Sequence, residues 1–291
     1  MFSASDVKTL REKTGAGMLD CKKALEECGG SLEAAVDWLR EKGIAKAAKK
    51  SDRIAAEGLS QIYIDGNKAV ILEVNSETDF VSKNDEFKKV VDLIGKTLLE
   101  QDADNLESAL KLSTNEGTIE ELIISTTAKI GEKISFRRFQ KIEKTDSQNF
   151  GSYIHMGGKI ASLILIEGGN SEVAKEVAMH AAAMRPLYVT EKDVPTEVLE
   201  KEKEIIRQEL LNEGKPADKI DNILVGKVRK YYEEVCLANQ IFVKAENKET
   251  VSKYLENNGA KLINMIRFEV GEGMEKRQEN FAEEVMNQVN N

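Results

Sequence analysis

The spacing of apolar residues divides the chain into helical and extended blocks. In residues 1–42 it predicts three short helices. Val7 and Leu10 mark the first, with Ser5 or Asp6 as its cap and Thr14-Gly15-Ala16-Gly17 as its break. The second runs from about Met18 to Cys28, with Met18, Cys21, Leu25 and Cys28 near one face. Gly29-Gly30 ends it, and Ser31 caps a third helix whose face is Leu32, Ala35, Val36 and Leu39. Residues 43–58, rich in Ala and Lys, then suit a connecting helix or a flexible joint.

At Leu59 the period changes from helical to alternating. Leu59, Gln61 and Tyr63 alternate with Ser60, Ile62 and Ile64, and Asp65-Gly66-Asn67 signals a tight turn before Lys68–Val74. That is a hairpin. Its second strand, Val70–Val74, is apolar enough to be buried yet carries an acid, Glu73. A polar joint, Asn75-Ser76-Glu77-Thr78-Asp79, then leads into a helical stretch with Phe80, Val81, Phe87, Val90, Val91 and Ile94. Phe80 on such a joint is either a core anchor or a protruding probe, and spacing alone favours the anchor because most Phe side chains are buried. Residues 100–116 read as a polar loop plus a short helix. Thr118–Ile130 is helical and closes at Gly131, and Ile134-Ser135-Phe136 opens a strand through Phe139 and Ile142.

The order then repeats, offset by 91 residues from Gly66-Asn67-Lys68 to Gly157-Gly158-Lys159. The apolar run Ile160–Ile166 follows, then Gly168-Gly169-Asn170-Ser171 and a helix carrying Val173, Val177 and Met179. Two related units are expected, each a small antiparallel sheet with a helix on one face. The second passes straight into its helix, so the SETDFVSKND segment of the first is additional to what the scaffold requires. Val194–Tyr232 is helical and highly charged, with Leu199, Ile206 and Leu210 striping one arm and Ile220, Leu224, Val228 and Tyr231 the other. Pro216 is placed at the first position of the second arm. Beyond it lie an extended run Ile241-Phe242-Val243, a helical turn Val251–Leu255 and a strand Leu262–Val270 that returns to the second sheet, making the arm an insertion. A final helix would carry Phe281, Val285 and Val289.

The expected class is therefore α+β. The division is 1–54 for a helical module with its basic linker and 55–145 for the first sheet-and-helix subdomain. Residues 146–193 and 234–270 form the two parts of the second, 194–233 the inserted helical hairpin, and 271–291 a C-terminal helical module.

Composition narrows the function. Among 291 residues, 51 Asp and Glu outweigh 42 Lys and Arg, a net charge of −9 that speaks against direct nucleic-acid binding. The local exception is Lys42, Lys46, Lys49, Lys50 and Arg53, a solvated linker or a contact for an acidic partner. No apolar run reaches the ~20 residues of a membrane span, and the N-terminal stretch lacks a signal-peptide core, so no membrane association and cytoplasmic residence are expected. Cys21, Cys28 and Cys236 form no CxxC, and Cys21 and Cys28 sit as inert core thiols. His155 and His180 are too far apart to suggest zinc, Glu77 and Asp79 lack an EF-hand spacing, and no nucleophile is paired with a base. No catalytic residue, metal or cofactor is expected. His180 reads as a packed histidine and His155 as more exposed.

Six strings carry a resemblance: TGAGMLDCKKAL, NSETDFVSKNDEF, TTAKIGEKISFRRF, GSYIHMGGKI, VAMHAAAMRP and INMIRFEVGEGMEK. In this order and over nearly the full length, the chain resembles the bacterial translation elongation factor Ts family. The resemblance implies a ubiquitin-associated-like fold for the N-terminal helices and guanine-nucleotide exchange on elongation factor Tu. It implies that Asp79 and Phe80, flanked by Thr78 and Val81 in the TDFV string, enter the GTPase and disturb its magnesium site. It further implies partner contacts at Lys22, Lys50, His155, Phe242 and Val243. Ile241 and Lys244 stand where a proline and an apolar residue are common in that family. The rival expectation is a binding scaffold with Phe80 buried. Oligomeric state stays open, since the arm can meet the GTPase or another copy, and a homodimer can form through the core or the arm.

Overall fold

The N-terminal run folds into α1 (Ala4–Thr14), α2 (Met18–Glu27) and α3 (Leu32–Ala48) in a computed structural model that describes residues 2–275. Ser3, rather than Ser5 or Asp6, caps α1: its hydroxyl accepts the Asp6 N–H while the Asp6 carboxylate accepts the Ser3 N–H at 2.7 Å. Gly15 closes α1 in the left-handed region, φ 65°. Val7, Leu10, Cys21, Leu25 and Ala35 form the interior of the three helices. Met18 does not join them. As the first residue of α2 it projects past the neighbouring helices and is exposed. The third helix runs on to Ala48, so the first third or so of the expected linker, residues 43–48, is helical.

The hairpin is β1 (Glu57–Asp65) and β2 (Lys68–Ser76), turning at Gly66-Asn67. Then come α4 (Asp79–Ser82), α5 (Asp85–Glu100) and α6 (Leu106–Leu110). A two-residue pair that the sequence did not suggest, β3 (Ser113–Thr114) and β4 (Gly117–Thr118), precedes α7 (Ile119–Ile130) and β5 (Ser135–Glu143). Asn84 caps α5 through the Glu86 N–H, and Phe87, Val91, Ile94 and Leu98 line its buried side. The first sheet has the order β1-β2-β5.

The second sheet begins with the antiparallel pair β6 (Gln148–His155) and β7 (Ile160–Gly168), followed by α8 (Ser171–Met184). The arm is α9 (Thr196–Asn212) and α10 (Ala217–Val235), and α11 (Val251–Asn257) leads to β8 (Ala260–Glu269). Ile206 and Leu210 meet Ile220 and Leu224 within the arm, whereas Leu199 and Tyr231 lie outside that cluster. Pro216 is the cap of α10 and Ala217 its first residue. The sheet order is β6-β7-β8, and α9 and α10 come between β7 and β8 along the chain. Phe281, Val285 and Val289 lie outside the described residues.

Two compact units result: residues up to Gln61 with Leu72–Phe139 and the segment from Glu269, and Ile62–Ile71 with Gln140–Phe268. In the first, α3 packs on α7, where a Cβ added to Gly43 would lie 3.4 Å from the Ala128 methyl. In the second, α8 lies directly on β6 at Gly151, where an added Cβ would come within 2.0 Å of the Ala174 carbonyl carbon. The β7 strand is buried on both faces. Ile164 and Ile166 meet Val173, Val177 and Ala178 of α8, while Leu163 and Leu165 join Ala69, Ile71, Phe150 and Phe268. Double burial explains its apolar run Leu163–Ile166.

Candidate functional site

After Ser76 the chain leaves β2 and turns at once into α4, a single helical turn too short to hold itself together. Val81 and Ser82 point inward and are buried, while Phe80 between them and Asp79 is 78% exposed. An aromatic ring that open to water, beside two buried neighbours, is not a core anchor. This removes the premise of the scaffold reading, which needed Phe80 inside. The Lys83 ammonium lies 2.7 Å from Asp79 Oδ2 and 5.8 Å from the Phe80 ring centroid. One cation thus lies beside both the half-buried Asp79 and the exposed Phe80.

The corner is anchored from the turn after α7. Glu132 accepts the Thr78 N–H at 2.9 Å through one carboxylate oxygen and the Thr78 hydroxyl at 2.7 Å through the other. Next to it, Glu77 accepts the Lys133 N–H at 2.6 Å and pairs with Arg53 at 3.2 Å. Lys133 Nζ reaches the carbonyls of Ser51 and Arg53. Lys50 donates to the Gly131 carbonyl at 2.7 Å, so this lysine is engaged by its own chain. Lys22 is exposed on α2, 3.8 Å from Glu26. On the Thr78 carbonyl side, Ser76 Oγ donates at 2.9 Å, and Ser82 Oγ donates to the Asp79 carbonyl at 2.6 Å.

Behind this corner, Glu73 is fully buried in mid-strand. Burial pushes its pKa up, but the Gly271 N–H, the Asn75 amide, Arg137 and Arg138 outweigh that and hold it below the usual carboxylate value. Its oxygens accept from Arg137 at 2.9 Å and from Arg138 at 2.6 Å. Arg138 also donates to the Glu269 carbonyl, and Arg137 to that of Glu272, joining the segment from Glu269 to this network within the first unit.

In the second unit His155 ends β6, exposed, with Nδ1 3.3 Å from the Tyr153 hydroxyl. Phe242 is buried: its ring stacks on Tyr254 at 4.1 Å and lies 5.7 Å from His180. What reaches solvent there is Val243, 54% exposed, with Ile241. His180 Nδ1 accepts the Val243 N–H at 3.1 Å, so Nε2 carries the proton and donates to Gln240 Oε1 at 3.0 Å. This neutral imidazole, its pKa lowered by burial, fixes the backbone that displays Val243. Lys244 is spent on Glu176 at 3.1 Å, whose other oxygen accepts the Tyr254 hydroxyl at 2.6 Å.

Sequence reasoning did not find Glu132, the Arg137-Arg138 pair or the support that His180 gives to Val243. Each acts on a partner 54 or more residues away, and no local pattern marks it.

The model of the family described as Elongation factor TS matches residues 77–272, about two-thirds of the chain. The chain belongs to the elongation factor Ts family. Its match opens at Glu77, the first residue of the anchored corner, and closes at Glu272, which the Arg137 guanidinium holds. Elongation factor Ts proteins are exchange factors for elongation factor Tu and not enzymes, which is the role of this chain in general terms. Among the described residues no helix is long and apolar enough to cross a membrane, and no three His, Cys, Asp or Glu side chains gather as a metal site.

Proposed function

We propose that this chain works in the cytoplasm and accelerates GDP release from elongation factor Tu by inserting the Asp79-Phe80 corner beside the magnesium site of the GTPase. The observation that carries this reading is the exposed Phe80 ring on a turn whose neighbours are all held. A free aromatic on a fixed base enters a partner with little ordering cost. Once inserted, the ring displaces side chains around the magnesium water shell. Loss of the ion weakens the diphosphate contacts, GDP leaves, and incoming nucleotide then drives the factor off.

Linkage sets the scale. Lowering GDP affinity tenfold requires about 1.4 kcal/mol of coupling, and one coupling seldom exceeds about 3 kcal/mol. A larger effect needs several contacts acting together. Lys22, His155 and Val243 supply further docking points in this reading, with Phe242 supporting Val243 from beneath. Lys50 contributes by holding the Gly131 turn, and its contact with the partner is secondary.

Release of fluorescent GDP from elongation factor Tu tests the reading. The folded parent chain accelerates release, and Phe80→Ala reduces the maximal rate at least about tenfold, the effect of one lost coupling. No acceleration by the parent would remove the exchange function. Undiminished acceleration by folded Phe80→Ala would remove the wedge alone.

A further inference from the structure

We propose that Glu132 is a positioning residue for nucleotide exchange, acting through Thr78 to aim the Asp79-Phe80 corner; the inference rests on the exchange reading above. The α4 turn has only four residues, and its cap Thr78 makes no side-chain capping bond to it. The Thr78 side chain is occupied elsewhere: both its hydroxyl and its backbone N–H donate to the Glu132 carboxylate, at 2.7 and 2.9 Å. Two bonds from one planar acceptor to two atoms of one residue fix the direction in which the chain enters the turn. One bond would leave a free rotation.

The carboxylate itself stands on a fixed base. Gly131 before it closes α7 at φ 89° and has its carbonyl held by Lys50. Lys133 after it donates its N–H to Glu77 and its ammonium to the Ser51 and Arg53 carbonyls. The next amide, of Ile134, donates to Thr127 Oγ1 at 3.1 Å. So the 131–133 turn grips the two residues before Asp79, while burial of Val81 and Ser82 holds the far side. Phe80 is the exposed member of a stretch clamped at both ends. Glu132 touches neither nucleotide nor magnesium in this scheme. Its contribution is orientation, which appears in the maximal rate and not in the affinity of the docking surface.

The test is the dependence of GDP release from elongation factor Tu on the concentration of the full chain, for the parent, Phe80→Ala, Glu132→Ala, Glu132→Gln and the Phe80→Ala/Glu132→Ala pair. Glu132→Ala should lower the maximal rate about five- to tenfold with an unchanged half-saturating concentration, the loss expected for the net worth of an ordinary hydrogen bond. Glu132→Gln should recover most of the rate, because its amide can accept the Thr78 N–H and donate to the hydroxyl. The paired variant should be no slower than Phe80→Ala, since an unaimed ring and a missing ring lose the same thing. Amide hydrogen exchange of the free proteins should quicken at Thr78–Lys83 in Glu132→Ala and remain slow in Glu132→Gln.

Full-speed release by Glu132→Ala, with Phe80→Ala slow, overturns the role of Glu132 and leaves the wedge standing. A multiplicative loss in the paired variant, or unchanged hydrogen exchange at the corner, overturns it as well. Full-speed release by Phe80→Ala overturns the wedge reading and this inference together. A Glu132→Gln chain that folds but is as slow as Glu132→Ala contradicts the two-bond clasp.

Discussion

The two hairpin-and-helix units have the same order of elements and differ at two places. In the centre of β2 stands Glu73; 91 residues later, in the centre of β7, stands Ile164, and both are fully buried. Between β2 and α5 lie eight residues that include the Phe80 turn, whereas Gly168 leads to α8 through Gly169-Asn170 alone. The second unit solves its joint by close backbone approach: Gly168 sits at φ 71° and an added Cβ would fall 2.5 Å from the Gly259 carbonyl oxygen. The first solves it with charged side chains, Glu132, Glu77 and Lys133. A joint sealed by backbone contact has no room to display anything. One clamped by side chains can hold a residue out in water.

The largest loss should come from giving the second strand the first strand's charge. Ile164→Glu places a carboxylate among Val173, Val177 and Ala178 of α8, and should cost about 4 kcal/mol or more in urea unfolding, leaving little folded protein. The reverse change is milder but still large. Glu73→Gln removes the buried anion that Arg137 and Arg138 share, though Arg138 keeps Glu272 at 3.5 Å and both guanidinium groups are partly solvated, and should lose about 3 kcal/mol. Gly168→Ala should cost about 2 kcal/mol, since it combines left-handed backbone strain with a backbone clash. The same measurement on the two helix caps should show no difference between units. Asn84→Ala and Asn170→Ala each remove a side-chain acceptor at a helix start, and each should cost about 1 kcal/mol.

The smallest effect concerns pH and again separates the units. His180 has a folded pKa below its ordinary 6.5 because of burial, so the unfolded chain gains a proton first as pH falls. Stability of the second unit should therefore decline from about pH 6.5 downward, while Glu73, with a lowered pKa, withdraws its contribution only below its ordinary 4.5. His180→Phe should flatten the slope of urea midpoint against pH between about 6.5 and 5 and leave the acid limb unchanged.

Much of the fold was readable because it rests on local chemistry. The hairpin turn at Gly66-Asn67, the caps Asn84 and Asn170, the stop at Gly131 and the facing stripes of the arm all depend on neighbours a few residues away. The Phe80 corner was visible for a different reason, namely that the second unit lacks it. Spacing on its own pointed the wrong way, toward burial. Phe242 illustrates the converse. Its place in an extended run gave no sign that Tyr254 and His180 enclose the ring, because those partners arrive from another helix and from across the inserted arm.

The sequence by itself determined the helical and extended blocks, the duplicated unit, the inserted arm and the family resemblance, since periodicity, caps and turns are written in consecutive residues. Tertiary structure alone decided which side chains support the corner. Glu132 and Thr78 are 54 residues apart, and Glu73 and Gly271 are 198 apart. A carboxylate can find its donors at any separation once sheets and helices bring them within about 3 Å, and no spacing along the chain encodes that meeting. The direction in which Phe80 points is such a decision: burial of Val81 and Ser82 on one side and the Glu132 clasp on the other leave the ring the solvent side.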